Sequence, residues 1–485
     1  MYKNVSNQHI VGVILLFSSC LLTVTAKAQA TNENPTVNYA NADIKSAKNS
    51  NQPTYPTTSS LKLPETDTTW KPVRRIWGYT FGDFYYDVHA DANIISATGK
   101  PSATGRGGET NYSGVPTYRN AFQFRRIYLG YDYDISKKFS VEILLASEPT
   151  ANTATVAGTS TSTTTLTGAN GATAATTTTT TTTVPNSDNL VDGKMSFYIK
   201  LFNLRVKSVW NGSDLIVGEQ LTPAFAMLTE KIWGYRSIER TISDFHKTNA
   251  YDVGAGLQGF FDPASKNFGY DALIGNNTTA TLGLAANANT GFYKAFYGDV
   301  FAKFLDQKLI FDLYADYMKI APATAAIGGQ DRNMLKGFVA YTTPKITFGL
   351  EAFTQQVVNG VTNVTNNKAG ENATVEAISI YAHGAIYKDK LGFFARYDGY
   401  NPDNDLNSAD VYTVSAGNNL SAYNPFQKET FYTAGLDFTP AKNIHFMPNL
   451  WLIDFKDQRD PSAAGYVAND HTLVYRLTFF FQFGK

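Results

Sequence analysis

The side chains of this 485-residue sequence that could do chemistry fall into two groups. The first is a set of scattered motifs. Gly254-Ala255-Gly256-Leu257-Gln258-Gly259 has the spacing of a glycine-rich phosphate loop, but it runs on into Phe260-Phe261 and an Asp262-Pro263 turn, with no helix whose N-terminus could meet a phosphate. Its glycines read instead as space near a narrow point or relief where a sheet bends. The histidines, at positions 9, 89, 246, 383, 445 and 471, show no ligand spacing, so no metal centre is expected. No G-x-S-x-G occurs, which removes the usual nucleophile elbow, and the chain is read as a non-enzyme without a cofactor. Asn401-Pro402-Asp403-Asn404-Asp405 lacks the Gly and closing Glu of a calcium loop and reads as an Asx-type turn.

The second group consists of charged residues at alternate positions of otherwise apolar segments. Arg126, Lys303, Arg396 and Arg476 are outnumbered by Asp132, Asp134, Glu142, Asp299, Asp312, Asp316, Glu351, Asp398 and Asp437. An extended chain sends successive side chains to opposite faces, so these charges share a wet face while their neighbours share an oily one. Ile127, Leu129, Tyr131 and Tyr133 stand against Arg126, Tyr128, Gly130 and Asp132. Leu309, Phe311, Leu313, Ala315 and Tyr317 oppose Asp312, Tyr314 and Asp316, and Leu473, Tyr475, Leu477, Phe479, Phe481 and Phe483 oppose Thr472, Arg476, Thr478 and Gln482. Charges lining the wet side of a closed sheet filter solutes by size and field, and the acidic excess leans toward cations or neutral solutes.

One long connection, 221–249, adds Lys231, Arg236, Arg240 and Lys247, offset by Glu230, Glu239 and Asp244. Mixed signs facing each other across a passage set up a transverse field. The candidates for lumen and constriction are therefore Lys231, Arg236, Glu239, Arg240, Arg126, Asp132, Glu142, Asp312, Asp316, Arg396, Asp398 and Arg476.

These residues need a frame, and composition narrows the choice. Equal numbers of basic and acidic groups, 41 each, remove the electrostatic footprint of a nucleic-acid binder. A single Cys excludes an internal disulfide and a Cys-built zinc site. Aromatics at 14% with only 17% charged residues favour strands. Over 73–485 the alternating segments are separated in turn by tight turns and long connections. The turns fall at 136–138, 211–213, 262–265, 306–308, 342–344, 388–390 and 439–442. The long connections fall at 91–119, 149–193, 221–249, 276–292, 321–332, 358–373, 400–428 and 456–469. Strict alternation of the two gives about 16 strands with both ends on the short-turn side. The fold expected is all-β, a transmembrane antiparallel β-barrel with short periplasmic turns and long external loops. A barrel of about 16 strands leaves a water-filled passage.

The remaining segments set the address. Lys3, the apolar run from Ile10 to Val24 and Ala26-Lys27-Ala28 make 1–28 a cleavable signal peptide. Its loss leaves two fewer basic than acidic groups. Cys20 resembles a lipidation site only weakly. Residues 29–72, rich in Asn, Thr, Ser and Pro, read as a flexible periplasmic segment. Within 149–193, the low-complexity stretch containing Thr176 to Thr183 reads as a long exposed loop. Export to the bacterial outer membrane is expected, with membrane lipids and small hydrophilic solutes or ions as partners, no nucleic acid, and passive diffusion as the function. The alternative is a non-conducting barrel acting as a surface adhesin, for which the Thr-rich loop speaks, or as a barrel-borne hydrolase with Ser, His and Asp assembled across strands.

Phe122-Gln123-Phe124-Arg125-Arg126-Ile127-Tyr128-Leu129-Gly130-Tyr131-Asp132 resembles the second barrel strand of the phosphate-selective porin O and P family. Asn211-Gly212-Ser213-Asp214-Leu215-Ile216-Val217-Gly218-Glu219-Gln220-Leu221-Thr222-Pro223 and Trp233-Gly234-Tyr235-Arg236-Ser237-Ile238-Glu239-Arg240 resemble a second stretch of it. The resemblance implies a 16-stranded homotrimeric pore whose third long loop folds inward to narrow the channel. Here that loop is 221–247, with Trp233, Tyr235, Ile238 and Phe245 in it. Phosphate selectivity requires a ladder of basic groups along the lumen, and the strand assignments above supply none, so that preference is not carried over.

Overall fold

The computed structural model describes residues 71–91, 117–148, 197–246, 249–277, 293–320, 328–414, 426–463 and 466–484, with the backbone of 155–167 and 173–185 besides. The first half contributes β1 (Arg74–His89), β2 (Asn120–Asp134), β3 (Phe139–Ser147), β4 (Thr155–Thr167), β5 (Thr173–Pro185), β6 (Tyr198–Trp210), β7 (Ser213–Leu221), β8 (Tyr251–Phe260) and β9 (Phe268–Gly275). The second half contributes β10 (Ala295–Phe304), β11 (Leu309–Met318), β12 (Arg332–Thr342), β13 (Ile346–Asn363), β14 (Lys368–Tyr387), β15 (Leu391–Asn401), β16 (Tyr412–Val414), β17 (Gln427–Ala441), β18 (Ile444–Asp457) and β19 (His471–Phe483).

The main sheet has 17 strands, all paired antiparallel. One of them, β16, is a three-residue addition to the outer end of β13, where Val361 faces Val414. The other 16 follow one another around a cylinder that closes where β1 pairs with β19. Closure satisfies every edge of the sheet, the condition for placing a β structure in hydrocarbon. β4 and β5 form a separate two-stranded hairpin.

The period-2 pattern drives the arrangement. On β19, Tyr475, Leu477, Phe481 and Phe483 are exposed on the outside, while Val474, Arg476, Thr478, Phe480 and Gln482 are buried inside. The outward apolar residues make a band around the cylinder. Tyr86, Tyr118, Phe296 and Tyr317 stand at its long-loop end, and Phe261, Phe268, Tyr341, Phe348, Phe438, Phe446 and Phe483 at its turn end. Paired aromatic girdles of this kind belong to membrane barrels. Two stacked sheets would have hidden the same residues in a shared core. Inside, large and small residues interlock: a Cβ on Gly130 would lie 2.1 Å from the Trp77 indole, so the glycine gives the ring its seat.

The tight turns read from the sequence all join consecutive barrel strands at one end. In the turn after β10, Leu305, Asp306 and Gln307 take positive φ of 53°, 55° and 66°, and the turn after β17 uses Asn443 at 67°. Asn401 to Asp405 is the Asx-type turn expected, with the Asp403 carboxylate accepting the Asp405 N–H at 3.1 Å. Gly254 to Gly259 lies within strand β8.

Three features depart from the sequence reading. The connection expected at 358–373 shrinks to 364–367, because β13 and β14 continue to pair as far as Asn363 and Lys368. Val357, Val358, Val361 and Thr362 are β-branched and prolong the ladder above the band. The Thr-rich stretch 149–193, read as a long exposed loop, contains the β4–β5 hairpin in register from Thr155↔Pro185 to Thr167↔Thr173, as a β-branched run favours. Strict alternation also fails where the strand register shifts, among other places at Arg125 and Lys200. The signal peptide, most of the segment 29–72 and Lys247 lie outside the described residues.

Candidate pore constriction

The connection from β7 to β8 carries three short helices, α1 (Pro223–Ala226), α2 (Thr229–Trp233) and α3 (Ile242–Phe245). Proline in the first turn starts α1, and Gly234, at φ 66°, ends α2 by donating its N–H to the Glu230 carbonyl at 2.8 Å. Trp233, Tyr235, Ile238 and Ile242 are fully buried, and their neighbours are the inward side chains of the wall. The Trp233 ring lies 5.0 Å from Tyr381 of β14 and edge-on to Phe394 of β15, which in turn packs 4.7 Å from Tyr235. The loop therefore folds into the cylinder, in the place the resemblance implied.

Cationic and polar groups of the wall hold it there. Helices this short leave most of their carbonyls without intrahelical partners. Arg125 donates to the Ser237 carbonyl, Arg476 to Ile238 at 3.2 Å and Arg396 to Arg240. Lys336 donates to the Ala224 carbonyl and to Thr229 Oγ1 at 2.9 Å, and His383 Nε2 reaches Ile232 O at 2.9 Å. The donors come from β2, β12, β14, β15 and β19, so the loop is tied across much of the circumference.

The sequence-selected residues all face the interior. On the wall, Arg126 pairs with Glu148, and Asp132 accepts from Arg75 Nε at 2.8 Å and from the Trp77 indole at 3.0 Å. Glu142 is buried across from Asp132 on β3. Asp312 lies 3.5 Å from Lys336, and Asp316 accepts from the Tyr314 hydroxyl at 2.7 Å and the Met334 N–H at 2.9 Å. Arg396 grips Asp398 through two hydrogen bonds of 2.8 and 2.6 Å, and Arg476 grips Asp83 at 3.1 and 2.7 Å. On the loop, Arg236 bridges Glu230 and Asp244 at 2.5 and 2.8 Å, and Arg240 lies 3.5 Å from Asp244. Glu239 is buried, accepting the Arg240 N–H at 2.8 Å while its own carbonyl takes the Trp233 indole N–H at 2.8 Å.

Alternation missed the residues at the centre of two ion clusters. In β2 the pairing jumps from Arg126 to Phe124 opposite Phe81 and Gly82, so Arg125 is a bulge residue and turns inward beside Arg126. It approaches Asp83 at 3.1 Å, alongside Arg476. In β6 the same jump at Lys200 brings it inward beside Leu201, onto Glu148, which also pairs with Arg126. The available signal was energetic: without a bulge, Arg125 and Lys200 would face lipid at membrane depth, at a cost of about 2–4 kcal/mol each near the midplane. Arg205 and Lys207 on β6, and Lys336, also point inward, each with an acidic partner. Among the described residues the interior thus holds many charges in pairs of both signs, while buried carboxylates still outnumber buried basic groups, as the sequence reading had it.

Lys231, half-buried on the inward loop, differs from its neighbours. Burial and then the nearby Arg205 push its ammonium down to about 8, against the pull of Asp299 and Glu230. It is charged below that pH and loses its proton above it. Raising the pH from 7 to 9 is therefore expected to move the zero-current potential in a KCl gradient toward cation preference, and Lys231→Gln is expected to reduce the shift. An equal shift in the variant would assign it to another group.

No protein-family model and no curated protein matches the chain. Solved structures do. The barrel is similar to an anion-selective porin from Comamonas acidovorans at 12% identity, covering 85% of this chain and 100% of that one with a TM-score of 0.48. It is also similar to the outer membrane channel DcaP of Acinetobacter baumannii at 11% identity, covering 87% and 100% with a TM-score of 0.49. A third likeness is to OmpF of Salmonella typhi, in a complex with daunomycin, at 11% identity, covering 84% and 97% with a TM-score of 0.46.

Proposed function

We propose that this protein is a porin of the bacterial outer membrane, a water-filled channel through which small polar or ionic solutes diffuse passively. One observation carries the reading: a closed cylinder of 16 strands, apolar outside and charged inside, is narrowed by a loop that the wall itself ties down. A cylinder of this strand number is wide enough for an aqueous lumen, and a purely structural barrel has no use for an inward loop held by cations. Selection follows size and the local field between paired charges. The two stretches that resemble the phosphate-selective porin O and P family fall on β2 and on β7 with its following loop, which supports a relationship to that family in architecture. A homotrimer and export behind a cleaved signal peptide belong to the same proposal.

Purified protein in planar bilayers is expected to give discrete conductance steps. Their absence at micromolar protein, with heat-modifiable gel migration intact, would replace the channel by a non-conducting surface barrel.

A further inference from the structure

We infer that the external rim of the barrel carries a binding site for a transition-metal ion such as Zn²⁺, formed by His89, Asp470 and His471. The sequence reading found no metal spacing among the histidines, because two of these ligands are adjacent while the third is 381 positions away. Barrel closure brings them together. His89 is the last residue of β1 and His471 the first of β19, the two strands that meet at the seam.

A register shift between Asp87 and His89 places His89 opposite Leu473, on the outer side of the sheet, and His471 shares that side by the period of β19. The two imidazole rings lie 4.4 Å apart. The Asp470 carboxylate sits between them, with one oxygen 2.5 Å from His89 Nε2 and the other 2.7 Å from His471 Nδ1. One ligand atom from each residue lies within 4.8 Å of the others. Asp470 is held in place through its backbone, whose N–H donates to the Asp91 carboxylate at 2.9 Å, and the Asp91 N–H reaches Thr472 Oγ1 at 3.3 Å.

The donor set selects the metal. Two imidazoles and one carboxylate suit Zn²⁺, Cu²⁺, Ni²⁺ or Fe²⁺, whereas Ca²⁺ and Mg²⁺ ask for oxygens alone. Ligands on a tetrahedral Zn²⁺ stand about 3.3 Å apart given metal–ligand bonds of about 2.0–2.1 Å. The present hydrogen-bonded contacts therefore open by under about 1 Å as the ion replaces the bridging protons. The side chains of the three residues are 40–55% exposed, so the ion has an entry path and water can complete its coordination. Binding would clip the first strand to the last and stabilise the closed state relative to the open chain, as any ligand of the native state does.

Titration of the folded, detergent-solubilised full-length protein with ZnCl₂ by isothermal calorimetry tests this. One equivalent per chain at micromolar affinity is expected, together with a Zn²⁺-dependent rise in the temperature at which gel migration changes. His471→Gln and, separately, Asp470→Asn are expected to weaken binding at least tenfold and to abolish the rise, while both variants still show heat-modifiable migration without metal. No binding up to millimolar Zn²⁺ would reduce the cluster to a His–Asp–His hydrogen-bond bridge. Equal affinity in both variants would place the ion elsewhere. Either result overturns the proposal.

Discussion

Replacing residues 224–245 by a short Gly-Ser link is expected to raise single-channel conductance by at least about threefold, because the flow of ions through a wet passage is set by its narrowest section. The segment fills the interior with Trp233, Tyr235, Ile238 and Ile242, all fully buried against the wall. Removing it exposes Arg125, Lys336, Arg396 and Arg476 to water that can solvate them, so the barrel should still assemble. Tyr381, Phe394 and Met447 lose cover at the same time, and a modest fall in thermal stability is expected alongside the wider pore. Single-channel recording in planar bilayers reads the effect, with gel migration before and after heating as the control for folding. Unchanged conductance in a folded deletion would mean that the loop does not set the constriction.

Asp83→Ala is expected to destabilise the barrel by about 3–5 kcal/mol, the range for removing one partner from a buried charge pair. The carboxylate has no exposed surface and meets Arg125 at 3.1 Å, Arg476 at 2.7 Å and the Gln123 amide at 2.7 Å. Its loss leaves two guanidinium groups side by side without the anion between them. The same two groups donate to the Ser237 and Ile238 carbonyls, so their mutual repulsion should also loosen the inward loop. Urea unfolding in detergent micelles, followed by Trp fluorescence, measures the first effect, and noisier open-channel current in bilayers measures the second. A variant that unfolds at the parent urea concentration would show that water inside the barrel already solvates the arginines. Asp83→Asn keeps the shape and the Gln123 contact, and it separates lost charge from lost packing.

Much of the architecture was legible in the residues alone. The alternation along segments such as 472–483, the tight turns at 136–138 or 388–390 and the long connections between them specify strand number, strand direction and, away from the bulges, the face that a side chain takes. That works because a strand's period is fixed at two and a slip of one residue would bury every charge in lipid. The inward position of Arg126, Asp312, Arg396 and Arg476 follows from this rule. The reach of the β13–β14 hairpin did not follow, since the residues beyond the apolar band alternate no differently from a loop and are ordered by pairing with each other and with β16.

Composition, period and the alternation of tight turns with long connections were together enough to predict a closed, lipid-facing sheet, for each of these is written in the segments themselves. Contacts between distant segments were beyond their reach. Asp83 and Arg476 are separated by 393 positions, His89 and Asp470 by 381, and Arg125 and Ser237 by 112. Such partners meet only when the last strand closes on the first and the third loop drops inside. The two bulges that turn Arg125 and Lys200 inward likewise belong to the pairing of strands, because an extra residue in one strand has meaning only against the register of the next.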